Sequence, residues 1–172
     1  MASIVQFSSA ISDPRQLPPR VAAMRRRILD ACAKGDVEAL RNAVEFSEVR
    51  PIFERADERK PDALHEDVVA MLKRLSFDRQ GVETIALLRA VLRQSCVEKR
   101  EGITRSFLWP AFAFAPPAAP SADERQIMLS CVRFAELAKI DANGLPPPMT
   151  LSIGEDGTWH YFWPLRAPAA GK

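Results

Sequence analysis

The chain has few of the residue types that most enzymes use for acid–base and nucleophilic chemistry. Its 172 residues include two histidines, one tyrosine and three cysteines. It contains no glycine-rich phosphate loop, no nucleophile elbow and no cysteine or histidine pair at the spacing of a metal site. We therefore predict no catalytic residue, no metal site and no cofactor, and the balance is against an enzyme.

Long apolar runs are also absent, since no stretch approaches the roughly 18 residues of a membrane span. The N-terminal segment MASIVQFSSAISDP has neither the basic stretch nor the continuous apolar stretch of a secretion signal. The 24 basic and 22 acidic residues give a net charge of +2, which is too balanced to indicate a nucleic-acid partner. We expect a cytoplasmic protein with no membrane partner.

The cysteines are odd in number and lie far apart. Cys32, Cys96 and Cys131 each fall in an apolar pattern of helical spacing. This pattern predicts buried free thiols and argues against disulfides or metal ligands.

The clearest structural signal is a β-hairpin at residues 149–163. The runs Met149–Ile153 and Thr158–Trp163 are rich in β-branched and aromatic residues, and the tetrapeptide GEDG separates them. Asp156-Gly157 could form a two-residue turn. Alternatively, residues 155–157 could form a three-residue loop with Gly157 in the left-handed conformation.

The choice of turn decides which side chains face the core. A shift of one residue in the pairing moves every side chain of the strand to the opposite face of the sheet. The three-residue loop places Ile153 opposite Trp159, Leu151 opposite Tyr161 and Met149 opposite Trp163, so that one face is wholly apolar. The two-residue turn instead adds His160 and Phe162 to the aliphatic face. The three-residue loop separates apolar from polar residues more cleanly, and we favour it.

The apolar periodicity of the rest of the chain predicts mainly helices. Helical periodicity begins at Pro18-Pro19, Asp36, Pro61, Val82 and Ser121, and Val82–Val97 is the most apolar of these segments and therefore the predicted central helix. Residues 103–109 alternate like a strand, and we expect that strand to lie antiparallel to the hairpin.

We therefore predict an α+β fold of about five helices packed against a small antiparallel sheet that includes the C-terminal β-hairpin. Residues 18–165 are assigned to a single domain, residues 166–172 to a frayed tail, and residues 1–17 to a flexible N-terminal arm. In that arm Ile4, Val5 and Phe7 could instead form a short strand or dock on a neighbour.

Three segments resemble the landmarks of an uncharacterised bacterial protein family. They are GVETIALL from Gly81, FLWPAF from Phe107 and IGEDGTWHYF from Ile153. The three segments are similar to a Gly-led apolar helix, a Trp-Pro segment and a C-terminal Gly-x-Asp-Gly-x-Trp-x-Phe hairpin, which members of that family have in this order. The resemblance covers roughly residues 28–163 and implies the fold. The family has no assigned activity, so the resemblance implies no reaction.

This chain departs from that family at both ends. Many members carry export signals, which this chain lacks. Members also tend to end in Ala-Gly-Asp after the last aromatic pair, where this chain has Trp163-Pro164-Leu165. A role for that acidic end is therefore not carried over.

The best candidate ligand site surrounds the hairpin turn. We expect His160 beside Glu155 and Asp156, with Arg105 and Trp109 on the neighbouring strand. Together these residues would form a polar pocket with an aromatic wall. Solvated acids at a turn and buried tryptophans are the simpler interpretation of the same residues.

Three functions remain open. The first, which we favour, is a non-catalytic interaction or small-ligand-binding module that uses the aromatic hairpin and the apolar connector at residues 110–120, where a homodimer or protein partner could also bind. The second is a small hydrolase or transferase that uses His160 with an acidic partner. The third is a nucleic-acid binder that uses the Arg15–Arg27 region.

Overall fold

A computed structural model describes residues 4–56, 58–59, 65–139 and 144–165. In these ranges the chain forms five α-helices and a five-stranded antiparallel sheet, which confirms the predicted α+β class. The predicted helix start at Pro61 and the predicted tail at 166–172 lie outside the described residues. The helices are α1 (Pro19–Ala33), α2 (Leu40–Glu45), α3 (Val68–Leu75), α4 (Val82–Leu92) and α5 (Ala122–Ser130). The strands are β1 (Val5–Phe7), β2 (Val97–Glu101), β3 (Thr104–Trp109), β4 (Met149–Gly154) and β5 (Trp159–Pro164).

The sheet is a simple meander in which each strand pairs with the next one along the chain. The predicted third strand is confirmed as β3, which lies antiparallel to β4 with Phe107 opposite Ile153. Strand β2 was not predicted, because its sequence VEKRE looks like a charged loop. Its charged residues are accommodated by ion pairs across the sheet, such as that between Glu98 and Arg105.

Helix α4 is the central helix, as its composition predicts. It packs against α1, α3, α5 and β4, and Leu88, Val91 and Leu92 are fully buried. The helix ends at Leu92 and not at the predicted Val97. At this end the guanidinium of Arg25 donates two hydrogen bonds, of 3.0 and 2.6 Å, to the Leu92 carbonyl. The chain then turns into β2.

The hairpin turn has the predicted three-residue loop. Gly154 N–H donates to the Thr158 carbonyl at 2.9 Å, and Gly157 has a φ of 91°. Only glycine adopts such a backbone without strain. A Cβ at this position would also lie 3.1 Å from the Arg20 carbonyl oxygen of α1, so the turn packs directly on the first helix.

Beyond the turn the predicted register is wrong. Ile153 pairs with Trp159 as expected, but a β-bulge then leaves His160 without a partner on β4. Leu151 therefore pairs with Phe162, and Thr150 pairs with Trp163. The outer edge of β5 explains the bulge, because Ile52 N–H donates to the His160 carbonyl at 2.9 Å.

The bulge divides the hairpin aromatics between the two faces of the sheet. Trp159 and Phe162 are buried in the main core beneath the helices, with Trp159 edge-on to Phe53 at 5.3 Å. Tyr161 and Trp163 stack on the other face at 4.5 Å, and Arg55 lies over the Trp163 ring. The expectation that Trp163 faces Met149 in the core is therefore wrong.

Helix α5 is shorter than the apolar pattern predicts, since that pattern extends from Ser121 to about Lys139. The same pattern predicts a core side of Ile127, Cys131, Phe134 and Ala138, and only Cys131 of these is buried. The helix ends at Ser130, and a capping box at Ser121 and Glu124 starts it as expected. Cys131 is fully buried, but Ile127 is 43% exposed and Phe134 is 54% exposed. The opposite side of the helix faces the connector segment, which periodicity alone could not indicate.

The N-terminal segment contains a short strand, β1, and is therefore not simply the flexible arm that we predicted. A short strand here was the alternative prediction. Val5, Gln6 and Phe7 pair with Glu101, Arg100 and Lys99 of β2. Phe7 stacks on Phe114 of the connector at 5.9 Å.

Among the residues that the structure describes, no helix combines the length and the apolar character that crossing a membrane requires.

Candidate functional site

Four of the five residues predicted to form a polar site lie together at the hairpin turn. The pairing of Ser106 with Gly154 carries Arg105 of β3 to the end of β4. A shallow cavity of about 460 Å³ results, and we call it the turn pocket. It is lined by Arg20, Thr104, Arg105, Gly154, Glu155, Asp156 and His160.

The charge of Arg105 is already neutralised by protein groups. Its guanidinium lies 2.8 Å from Glu98 and also forms an ion pair with Glu155. The hydrogen bonds to Glu98 raise the pKa of Arg105, and the same contacts lower the pKa of Glu98. Arg105 therefore offers a ligand little uncompensated charge.

The imidazole of His160 lies close to Ser152 and Gly154 of β4. Its Nδ1 is 3.2 Å from Ser152 Oγ, and a Cβ at Gly154 would lie 2.9 Å from its Nε2. Burial lowers the pKa of His160 below its ordinary value, and the nearby charge of Asp156 opposes that shift only in part. Burial therefore favours the neutral form of His160.

A serine, a histidine and an aspartate thus meet at the turn, but they lack the access that catalysis requires. Ser152 is 2% exposed, so a substrate cannot approach its Oγ. Asp156 Oδ1 accepts a hydrogen bond from the Thr158 N–H at 2.9 Å and so holds the turn itself. These contacts favour a structural role for the three side chains.

Trp109 is not brought to the turn pocket. It pairs with Leu151, three residues from Gly154 along β4. Its side chain is 1% exposed and belongs to the main core. The turn pocket therefore lacks the aromatic wall that was expected from this residue.

The three cysteines are buried free thiols, as predicted. Burial raises the pKa of Cys32 and Cys96 to about 12 and that of Cys131 to about 11. These thiols stay protonated at neutral pH and are poor nucleophiles. No group of three or more histidine, cysteine or acidic side chains among the described residues is placed to hold a metal ion.

A second, more enclosed cavity of about 510 Å³ lies at the open end of the hairpin, where Leu165 N–H donates to the Pro148 carbonyl at 2.8 Å. We call it the proline groove. One wall is the connector segment 112–120, the second is a side of α5, and the third is the segment that enters β4. It is lined by Phe112, Ala113, Pro116, Pro117, Ala118, Ala119, Pro120, Arg125, Met128, Leu129, Val132, Leu145, Pro146, Pro148 and Leu165.

The composition of the proline groove makes it rigid and apolar. Five of its lining residues are prolines, which fix the backbone and carry no N–H donor. Most of the others are alanine or larger aliphatic residues. Pockets of about 300–1,000 Å³ with mainly apolar walls are typical of small-molecule sites. The proline groove therefore has the size and chemistry of a ligand site.

Sequence reasoning identified the connector as an apolar surface but missed the proline groove. The cavity is lined jointly by residues from 112–120, from α5 and from 145–148, which are far apart in the sequence. The available signal was the presence of two proline-rich segments, one before and one after the same helix in the sequence.

The arginines of the Arg15–Arg27 region do not form one surface. Arg15 pairs with Asp13 at 2.8 Å, and Arg25 donates to the Leu92 carbonyl. Arg20 lines the turn pocket, whereas Arg27 lies 3.6 Å from the centre of the Phe46 ring. This dispersal weighs against the nucleic-acid hypothesis, because phosphate binding requires cations along one path.

No known family, curated protein or solved structure matches the chain. The resemblance to an uncharacterised bacterial family therefore stays a prediction.

Proposed function

We propose that the chain is a non-catalytic binding module that holds a small apolar ligand in the proline groove. The observation that carries the proposal is an enclosed cavity of about 510 Å³ with mainly apolar walls. A ligand in this cavity would remove apolar protein surface from water, which is the main favourable term in binding. The site combines the open end of the hairpin with the apolar connector.

The partial exposure of the groove walls supports this proposal. Leu129 is 43% exposed, and Phe112, Met128, Leu145 and Leu165 are each half-buried. Exposed apolar surface that is concentrated in a concave region is typical of interaction sites. A second copy of the chain or another protein could use the same surface, and a probe small enough to enter the groove separates these cases.

A hydrolase or transferase centred on His160 is the weaker alternative. The contact between His160 Nδ1 and Ser152 Oγ favours it. The burial of Ser152 and the mutual pairing of the charged groups in the turn pocket count against it.

The direct test is a fluorescence titration with N-phenyl-1-naphthylamine, a neutral apolar dye that brightens when it leaves water. We expect saturable binding to the full chain. Leu129→Asp places a charge on the groove wall and should weaken binding by about tenfold or more, because burying an unpaired carboxylate is costly.

Ile127→Asp is the matched control. Ile127 and Leu129 lie on the same helix and are each 43% exposed, but Ile127 does not line the groove. Its variant should bind the dye like the wild type. No binding by the wild type, or equal loss in the two variants, would contradict the proposal.

A further inference from the structure

We infer that the ligand of the proline groove is an amphipathic carboxylate, with its tail in the groove and its anionic end on Arg125. This inference rests on the proposed function, and it names the class of ligand that the groove would select.

Among the described residues that line the groove, Arg125 is the single charged one. Its side chain has no ion pair and no hydrogen bond within the part of the chain that the structure describes, unlike Arg105 in the turn pocket. A cation at the edge of an otherwise apolar cavity complements a ligand with one negative group. A guanidinium and a carboxylate can also form two parallel hydrogen bonds.

Among the described residues, the acids that precede Arg125 in the sequence do not pair with it. Glu124 is turned back on Ser121, where its Oε2 accepts the Ser121 N–H at 2.7 Å. This bond lowers the pKa of Glu124, which stays ionised in the capping box. Neither Asp123 nor Glu124 lines the groove.

The groove side of α5 places Arg125 next to apolar side chains. Arg125, Met128 and Leu129 recur at helical spacing, so they lie on one side of the helix, and Val132 follows two residues beyond its end. Arg125 and Leu129 are exposed, Met128 is half-buried and Val132 is buried. The rise from Arg125 to Leu129 is about 6 Å along the helix. This distance suits a carboxylate that carries a short alkyl chain.

The test compares three ligands that share one tail. Octanoate, 1-octanol and octylamine carry a negative, a neutral and a positive end at pH 7, and each is used to displace N-phenyl-1-naphthylamine from the full chain. At low salt, octanoate should displace the dye at a concentration about fivefold lower than octanol, as expected for one ion pair near a protein surface. Octylamine should be the weakest competitor.

Arg125→Gln should abolish the preference for octanoate and leave displacement by octanol unchanged. Arg93→Gln is the control, because it removes the same charge from an exposed residue outside the groove. It should keep the preference.

The outcomes separate the two proposals. If octanol and octanoate displace the dye equally, or if Arg125→Gln keeps the preference, the carboxylate inference is overturned and the apolar site remains. If the dye does not bind the wild type, the proposed function fails as well.

Discussion

The two ends of the β4–β5 hairpin differ in how far their chemical groups are satisfied by the protein itself. At the turn end, Arg105 pairs with Glu98 and Glu155, and His160 lies on Ser152. At the open end, the proline groove has mainly apolar walls, and the side chain of Arg125 has no ion pair with any of the described residues. A cluster of polar residues that pair with one another is therefore a weaker indication of a ligand site than an apolar cavity with one charged residue.

The same contrast holds for the two tryptophans of β5. Trp159, next to the turn, is fully buried. Trp163, near the open end, is half-buried between Tyr161 and Arg55. Trp159 is therefore part of the main core, whereas Trp163 packs on the other face of the sheet.

The largest expected effect comes from truncating Trp159. Trp159→Ala should lower the free energy of unfolding by about 3–5 kcal/mol, as large aromatic truncations in cores do. Trp163→Ala should cost only about 1–2 kcal/mol, from lost stacking and cation–π contact. Urea unfolding of both variants measures the difference. If the two variants lose equal free energy of unfolding, Trp159 and Trp163 contribute equally to stability, which would contradict the register in which only Trp159 lies in the main core.

A smaller effect should appear at the turn as the pH is lowered. The folded-state pKa of His160 lies below the ordinary value of 6.5. As the pH falls through 6.5, the unfolded chain takes up a proton before the folded chain does, so stability decreases; above 6.5 both states are neutral and the effect is absent.

His160→Gln should remove this part of the pH dependence. Urea unfolding at pH 7.5 and pH 5.5, a range that lies above the ordinary carboxylate pKa values, isolates it. The wild type should lose more stability than the variant over this interval. If the wild type and the variant lose equal stability, the neutral His160 does not contribute to the turn as described.

Much of the fold could be predicted because its signals are local. The sequence GEDG favours a three-residue loop through Gly157, and the apolar density of Val82–Val97 indicates a buried helix, which the structure has at Val82–Leu92. The bulge at His160 could not be predicted, because it depends on a bridge to Ile52, more than a hundred positions away. Strand β2 could not be predicted for a similar reason. Its charged residues form ion pairs with residues of the neighbouring strand, such as Glu98 with Arg105, and these pairs are not visible in the sequence of β2 alone.

Of the two candidate sites, the turn pocket could be predicted from the sequence and the proline groove could not. Arg105, Glu155, Asp156 and His160 could be placed together because strand pairing follows from the hairpin. The proline groove could not be found, because it is a gap between residues 112–120 and residues 145–148. A cavity between segments has no sequence pattern of its own, although five of its lining residues are prolines.

The most direct test of the proline groove as the ligand site is an amide NMR titration of the ¹⁵N-labelled full chain with octanoate. We expect shifts of the amides of Ala113, Met128, Leu129 and Val132 in the proline groove, and no shift at Gly154–His160. Shifts confined to the turn, or no saturable shift anywhere, would contradict the claim that the open end of the hairpin is the ligand site.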